Sequence, residues 1–116
     1  MNIDTWMQQF VSSWKNYDLD SIISLFEEDI EYWETPFQLV KDIEELRSEW
    51  EYVKIQKNIE ISYEIFSQDD TKFTILWNLK YENTAGEEKI FAGTYLIKLN
   101  SSNKCTYFHH TCEEKK

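Results

Sequence analysis

The hydrophobic period changes once along the chain, near residue 58. Before that point it is helical. Trp6, Phe10 and Trp14 recur every fourth residue with Met7 and Val11 beside them, and Asp4 or Thr5 is placed to cap the start. Tyr17-Asp18 interrupts this face. Asp18 or Asp20 then caps a second, short helix carrying Leu19, Ile22, Ile23 and Phe26. Asp29 to Thr35 reads as a short extended piece ended by Pro36. A third helix is predicted from about Val40 to Gln56, with Ile43, Leu46, Trp50 and Val53 as its buried stripe.

Beyond residue 58 the period is two. Ile59, Ile61, Tyr63 and Ile65 alternate with Glu60, Ser62 and Glu64, as in a half-buried strand. Phe73, Ile75, Trp77, Leu79 and Tyr81 repeat the pattern. Asp69-Asp70 supplies the turn between these runs, and Asn83 to Glu87, with Gly86, supplies the next. Lys89 to Leu99 and Lys104 to Cys112 make two more strands, joined by Asn100-Ser101-Ser102-Asn103. Here Ile90, Ala92, Thr94 and Leu96 on one face are nearly as apolar as Phe91, Tyr95, Ile97 and Leu99 on the other, so both faces call for a cover. Helices followed by an antiparallel meander make an α+β arrangement. Three helices cover one face of such a sheet and leave the other to water or to a second subunit.

Composition narrows the function classes. The 116 residues suit a single domain, 1–116, which hides about two-thirds of its surface on folding. Twelve Lys+Arg against 22 Asp+Glu leave a net charge of −10, which repels phosphate backbones and anionic lipid alike. Nucleic-acid and membrane-surface roles are therefore disfavoured. No apolar run approaches ~18 residues, and Met1 opens a polar, acid-containing stretch, so the expectation is a cytoplasmic protein. Cys105 and Cys112 on one strand stand ~23 Å apart on opposite faces, beyond the ~7 Å a disulfide tolerates. Two glycines leave no phosphate-binding loop or dinucleotide fingerprint, and no His or Cys spacing matches a metal-ligand set. No cofactor and no metal are expected.

Several short segments carry a resemblance. Asp18-Leu19-Asp20 opens the second helix, and Leu25-Phe26-Glu27-Glu28-Asp29 leads into the first strand. Thr35-Pro36 precedes the third helix, Gly93-Thr94-Tyr95 lies in the penultimate strand, and Lys104-Cys105 to Phe108-His109-His110 closes the chain. In this order and spacing they resemble the nuclear transport factor 2-like superfamily and its SnoaL-like branch over essentially the whole chain. There are departures. The glycine usual before the third helix is replaced around Val40-Lys41, and Ser102-Asn103 stands where such proteins often turn on Asp-Gly. An Arg or acid frequent in the last strand is replaced by His109 or His110. The resemblance implies a cone: a curved, mainly antiparallel sheet wrapping a long helix, with a pocket at the wide end. It also implies homodimers joined through the outer sheet face. The superfamily hosts dehydratases, isomerases, hydrolases and cyclases beside proteins that only bind or assemble, so fold alone does not name function.

Within such a cone the candidate chemistry is limited. His109 and His110 are adjacent on a strand and point to opposite faces, so at most one enters the pocket as an acid or base, and the two cannot share a metal ion. His109 is expected on a face with Cys105, Tyr107 and Thr111, and His110 with Phe108 and Cys112. The His110–Cys112 spacing, ~6.6 Å along a strand, is too long for a nucleophile pair. Glu34, with Tyr32 on its face and Trp33 opposite, falls at the mouth, where aromatic surroundings raise a carboxyl pKa; equally, it ends an acidic run of the kind that is usually solvated. Tyr32, Trp33, Trp50, Tyr63, Trp77, Tyr81 and Tyr95 are the aromatics expected to line the cone as a ligand pocket or to plug it as core. The leading expectation is a homodimer binding a small apolar or aromatic molecule. The alternatives are an acid/base isomerase, dehydratase or cyclase using an inward His or Glu34, and an interaction module with a closed cone.

Overall fold

Trp6, Met7, Phe10 and Trp14 lie along one side of the first helix, α1 (Ile3–Lys15), and all four are buried. The computed structural model describes residues 2–116, so Met1 lies outside the described residues. The helix is capped by Asn2 rather than by Asp4 or Thr5: the Asn2 side chain accepts from the Thr5 N–H, and Asp4 occupies the first turn, where a carboxylate suits the helix dipole. Asp18 caps α2 (Leu19–Ile23) by accepting from the Ser21 N–H.

The next segment departs most from the periodicity. Strand β1 (Phe26–Thr35) starts three residues before Asp29 and takes Phe26 from the expected second helix. The chain reverses at Pro36-Phe37 into β2 (Gln38–Val40), a strand too short to show a period. Val40 is therefore a strand residue, buried against the core, and the third helix begins later. Asp42 caps α3 (Ile43–Trp50) through the Glu45 N–H, and the chain then tightens into a 3-10 turn over Glu51–Ile55. No helix among the described residues is long and apolar enough to cross a membrane.

The remaining strands are β3 (Lys57–Asp69), β4 (Lys72–Glu82), β5 (Glu88–Leu99) and β6 (Cys105–Glu114). They complete a six-stranded, curled sheet of order β2-β1-β6-β5-β4-β3, antiparallel except where β1 meets β6 in parallel. The architecture is α+β, with the helices packed on this mainly antiparallel sheet as expected. Asparagines do the work that glycine does in many hairpins. Asn83 Oδ1 accepts from the Ala85 and Glu87 N–H groups, and Asn100 Oδ1 accepts from Ser102 and Lys104. Asp70 and Asn103 take the left-handed backbone at φ 57° and 60°, which their short polar side chains tolerate.

Phe10 sits at the centre of the core. Its ring stacks on Trp6 at 5.2 Å and meets Trp14, Trp50 and Tyr95 edge-on at 5.3–5.8 Å. One ring thus joins α1, α3 and the concave sheet face. A shift of register near the start of β6 turns Cys105 inward together with Phe108, so Cys105 does not share the outer face with His109 as the plain alternation suggests. Gly93 lies against β6 so closely that a Cβ would stand 2.0 Å from the Thr111 carbonyl oxygen, which explains a glycine in mid-strand. Both cysteines are free thiols. Phe10→Ala is expected to cost about 3–5 kcal/mol in guanidinium denaturation, the range for truncating a fully buried aromatic, and a loss below about 1 kcal/mol would show that the ring is not central.

Candidate functional site

The parallel pairing of β1 with β6 sets Tyr32 beside Phe108 and Trp33 beside His109. One step further along, Glu34 and His110 come together on the concave face. His110 Nδ1 lies 2.9 Å from the Glu34 main-chain oxygen. A carbonyl oxygen only accepts, so Nδ1 carries the hydrogen and Nε2 of the neutral ring is the free acceptor. The same Nδ1 stands 3.9 Å from Glu34 Oε1. The imidazole packs against two aromatic rings, stacked on Trp77 at 5.5 Å and tilted to Tyr95 at 5.6 Å.

Burial governs the protonation of this pair. It raises the Glu34 carboxyl to about 7, with Glu49 adding to the rise and the Tyr32 hydroxyl opposing it. It lowers the His110 imidazole below its ordinary value, against the pull of the Glu34 carbonyl, and His109 lowers it further. An ion pair would move both groups the other way. At this spacing, with Nδ1–H already given to the carbonyl, desolvation prevails and the neutral pair is favoured. Burial likewise pushes up the hydroxyls of Tyr32, Tyr52 and Tyr95 and the Cys112 thiol, and Glu34 adds to each.

Around these two residues the cone is part filled and part open. Tyr32, Trp50, Tyr95 and Phe108 close on one another beside Glu34, leaving only about 10 Å³. Adjoining it, a cavity of about 180 Å³ remains, lined by Glu34, Tyr52, Gln56, Trp77, Tyr81 and His110, among others. Roughly one ring-sized molecule fits such a space. A larger groove of about 420 Å³ lies on the outer sheet face near Thr74, Leu96 and Tyr107, where it is open to solvent.

The sequence-level candidates divide accordingly. Glu34, His110, Trp77 and Tyr81 line the open cavity, and Tyr32, Trp50 and Tyr95 form the packed side. His109 and Trp33 are on the outer face, where their rings lie 6.4 Å apart and the Trp33 indole donates to Glu31, because residues one step from an inward pair point outward. Tyr63 faces α1, near Val11 and Lys15, because β3 is the edge strand furthest from β6. Gln56, Tyr52, Trp14, Phe91 and Cys112 also line the open cavity. Sequence reasoning assigned Gln56 to the end of a helix and Tyr52 to none of its stripes. Only the 3-10 turn after Trp50 rotates both toward the sheet. A Gln directly before a strand in a Trp-rich chain was the available signal. Gln56 is held firmly: its Oε1 accepts from Trp14 Nε1 at 2.8 Å and its carbonyl accepts from the Tyr17 hydroxyl at 2.5 Å.

No family model and none of the curated proteins matches the sequence. Solved structures do match over nearly the full length. An NTF2-like protein of unknown function from Exiguobacterium sp. 255-15 is 19% identical with a TM-score of 0.75, covering 96% of this chain and 97% of that one. Delta 5-3-ketosteroid isomerase from Mycobacterium sp. is 12% identical with a TM-score of 0.78, at 96% of each chain. RV0760c from Mycobacterium tuberculosis, in complex with estradiol-17beta-hemisuccinate, is 13% identical with a TM-score of 0.76, at 91% and 89%. The chain has the nuclear transport factor 2-like fold, as the resemblance implied.

The Glu34 pKa has a consequence for stability. The folded chain holds this proton up to about 7, whereas the carboxyl's ordinary value is 4.5. The contribution is therefore full below pH 4.5 and is lost as pH rises through about 7, a span corresponding to about 3 kcal/mol at ~1.4 kcal/mol per pH unit. Relative to the wild type, Glu34→Gln is expected to gain up to about 3 kcal/mol in guanidinium denaturation on going from pH 4.5 to pH 8. Parallel pH profiles of the two proteins would show that Glu34 is solvated instead.

Proposed function

We propose that this protein binds a small, mostly apolar or aromatic molecule in the open part of the cone, with Glu34 as the polar group at the ligand. The observation that carries the reading is a cavity of about 180 Å³ walled by aromatic rings and holding one desolvated carboxyl. Few, well-placed polar groups in an apolar concavity are the usual make-up of a small-molecule site. Structural neighbours are consistent with this, one being solved with an estradiol derivative and another being a ketosteroid isomerase. The free thiols and the acidic surface suit a cytoplasmic setting.

A second reading, cofactor-independent proton transfer, is favoured by one observation. A carboxyl with a pKa of about 7 is half protonated at neutral pH, where a general acid or base works best. In this role Glu34 moves the proton, and His110 positions the strand carrying it through the Nδ1–H bond to the Glu34 carbonyl. Wild type should then catalyse solvent-deuterium exchange at an acidic C–H of a bound cyclic ketone, and Glu34→Gln should bind the ketone without exchanging it. For binding itself, a panel of neutral single-ring aromatics should raise the thermal midpoint, by about 2.7 kcal/mol of stability at a hundredfold excess over Kd. Cys112→Phe, which fills the cavity from its edge, should abolish that rise. If no compound shifts the wild type, or the filled variant responds equally, the pocket reading is wrong.

The homodimer belongs to the same proposal. On the outer face Leu76 is 38% and Leu96 is 42% exposed, and register sets Leu76 beside Thr94 and Lys80 beside Ile90. A stable interface hides about 800 Å² per partner, and this stripe is its natural centre. Light scattering should give a dimer for wild type and a monomer for Leu96→Glu. A monomeric wild type at micromolar concentration would remove the interface.

A further inference from the structure

Two side chains that line the open cavity carry buried hydrogen-bond donors without a partner in the protein. Gln56 is 2% exposed and Trp77 is 3% exposed, and both line the cavity. Among the described residues no group accepts from Gln56 Nε2 or from Trp77 Nε1, and these are the two buried side-chain polar atoms left in that state. The orientation of the amide is not free. Trp14 Nε1 can only donate, so the atom 2.8 Å from it must be the Gln56 oxygen, which leaves the NH2 group for something else. Trp77 is equally fixed, stacked on Tyr95 at 5.1 Å and on His110 at 5.5 Å. A buried donor without a partner has given up its hydrogen bond to water for nothing, and folded proteins seldom leave one so without a use for it.

The charges around the cavity restrict what these donors take. Its ionisable lining groups are Glu34, Tyr52, Tyr81, His110 and Cys112, and no Lys or Arg is among them. An anion would meet Glu34 with no cation to offset it, in a chain of net charge −10. A neutral oxygen acceptor brings no charge against Glu34 and is complementary to both unpartnered donors. We infer that Gln56 Nε2 and Trp77 Nε1 form a donor subsite for an uncharged carbonyl- or amide-type oxygen, so that the ligand is a ring-sized apolar molecule bearing such an oxygen. The inference rests on the pocket reading above and adds the ligand's polar end to it.

The test uses three probes of nearly one shape: acetophenone, ethylbenzene and benzoate. Acetophenone and ethylbenzene differ only by an oxygen in place of two hydrogens, and benzoate adds charge. Binding is followed by 15N-resolved NMR, with the Trp77 indole resonance assigned by its loss in Trp77→Phe. Acetophenone is expected to bind about tenfold more tightly than ethylbenzene, to move the Trp77 indole and Gln56 side-chain amide resonances downfield, and to outcompete benzoate at pH 8. In Trp77→Phe the ratio of the two neutral affinities should fall severalfold, a readout insensitive to any general loosening of the cavity. If both neutral probes bind alike and the Trp77 and Gln56 donor resonances stay still while Tyr81 or Phe91 signals move, the donor subsite is overturned and the pocket stands. Tightest binding by benzoate overturns the requirement for a neutral ligand. If none of the three binds at millimolar concentration, the pocket reading falls and this inference falls with it.

Discussion

The parallel contact between β1 and β6 is the constraint on which the rest of the molecule depends. Among the described residues it is the only parallel pairing in the sheet, and it joins the first strand to the last. Parallel neighbours cannot be linked by a hairpin, so the whole chain between them must be spent on the other strands and α3 before the contact forms. The pairing lets the sheet close around α1. It also sets Tyr32 against Phe108 in a stack of 4.7 Å, and brings Glu34 to His110 across 76 residues of sequence.

Around that contact the aromatic residues decide how much of the cone is open. Phe10, Trp14, Trp50, Tyr95 and Phe108 interlock through edge-on and tilted contacts, which bring the positive edge of one ring to the negative face of the next and contribute beyond their buried area. Lining and plugging are thus both realised, and Glu34 borders both parts. A carboxyl between a packed aromatic wall and a small cavity loses most of its water, and its proton affinity rises accordingly.

The fold is shared by proteins with different activities, and what separates this chain from its neighbours lies in side chains rather than in topology. Its concave face combines one carboxyl, one neutral imidazole, and indole and amide donors, without a cationic side chain in the open cavity. Neutral, directional groups in a dry site select by hydrogen-bond geometry more than by charge. A net charge of −10 surrounds the same molecule with a field that opposes the approach of anions.

The sequence by itself determined the elements whose signal is local. The i, i+4 spacing of Trp6, Phe10 and Trp14 dictated α1, alternation dictated β3 and β4, and the two runs bounded by the turns at Asn83–Glu87 and Asn100–Asn103 marked β5 and β6. The order of those elements with the short motifs around Asp18, Thr35 and Gly93 was sufficient for the fold. It failed where a signal was too short or was shared. Gln38–Val40 has too few residues to display a period, and Val40 is as apolar in a strand as in a helix. The site was legible only in part. Alternation showed that His109 and His110 must diverge, and that Glu34 shares a face with Tyr32. Which histidine faces inward, and that it meets Glu34, depended on the register between two strands at opposite ends of the sequence. Register across such a separation is set by the closing of the curled sheet and by the packing of Phe108 on Tyr32, not by any neighbour along the chain. For the same reason Gln56 and Tyr52 entered the site unannounced: the 3-10 turn that aims them exists because the tertiary packing of Trp50 and Val53 tightens the end of α3.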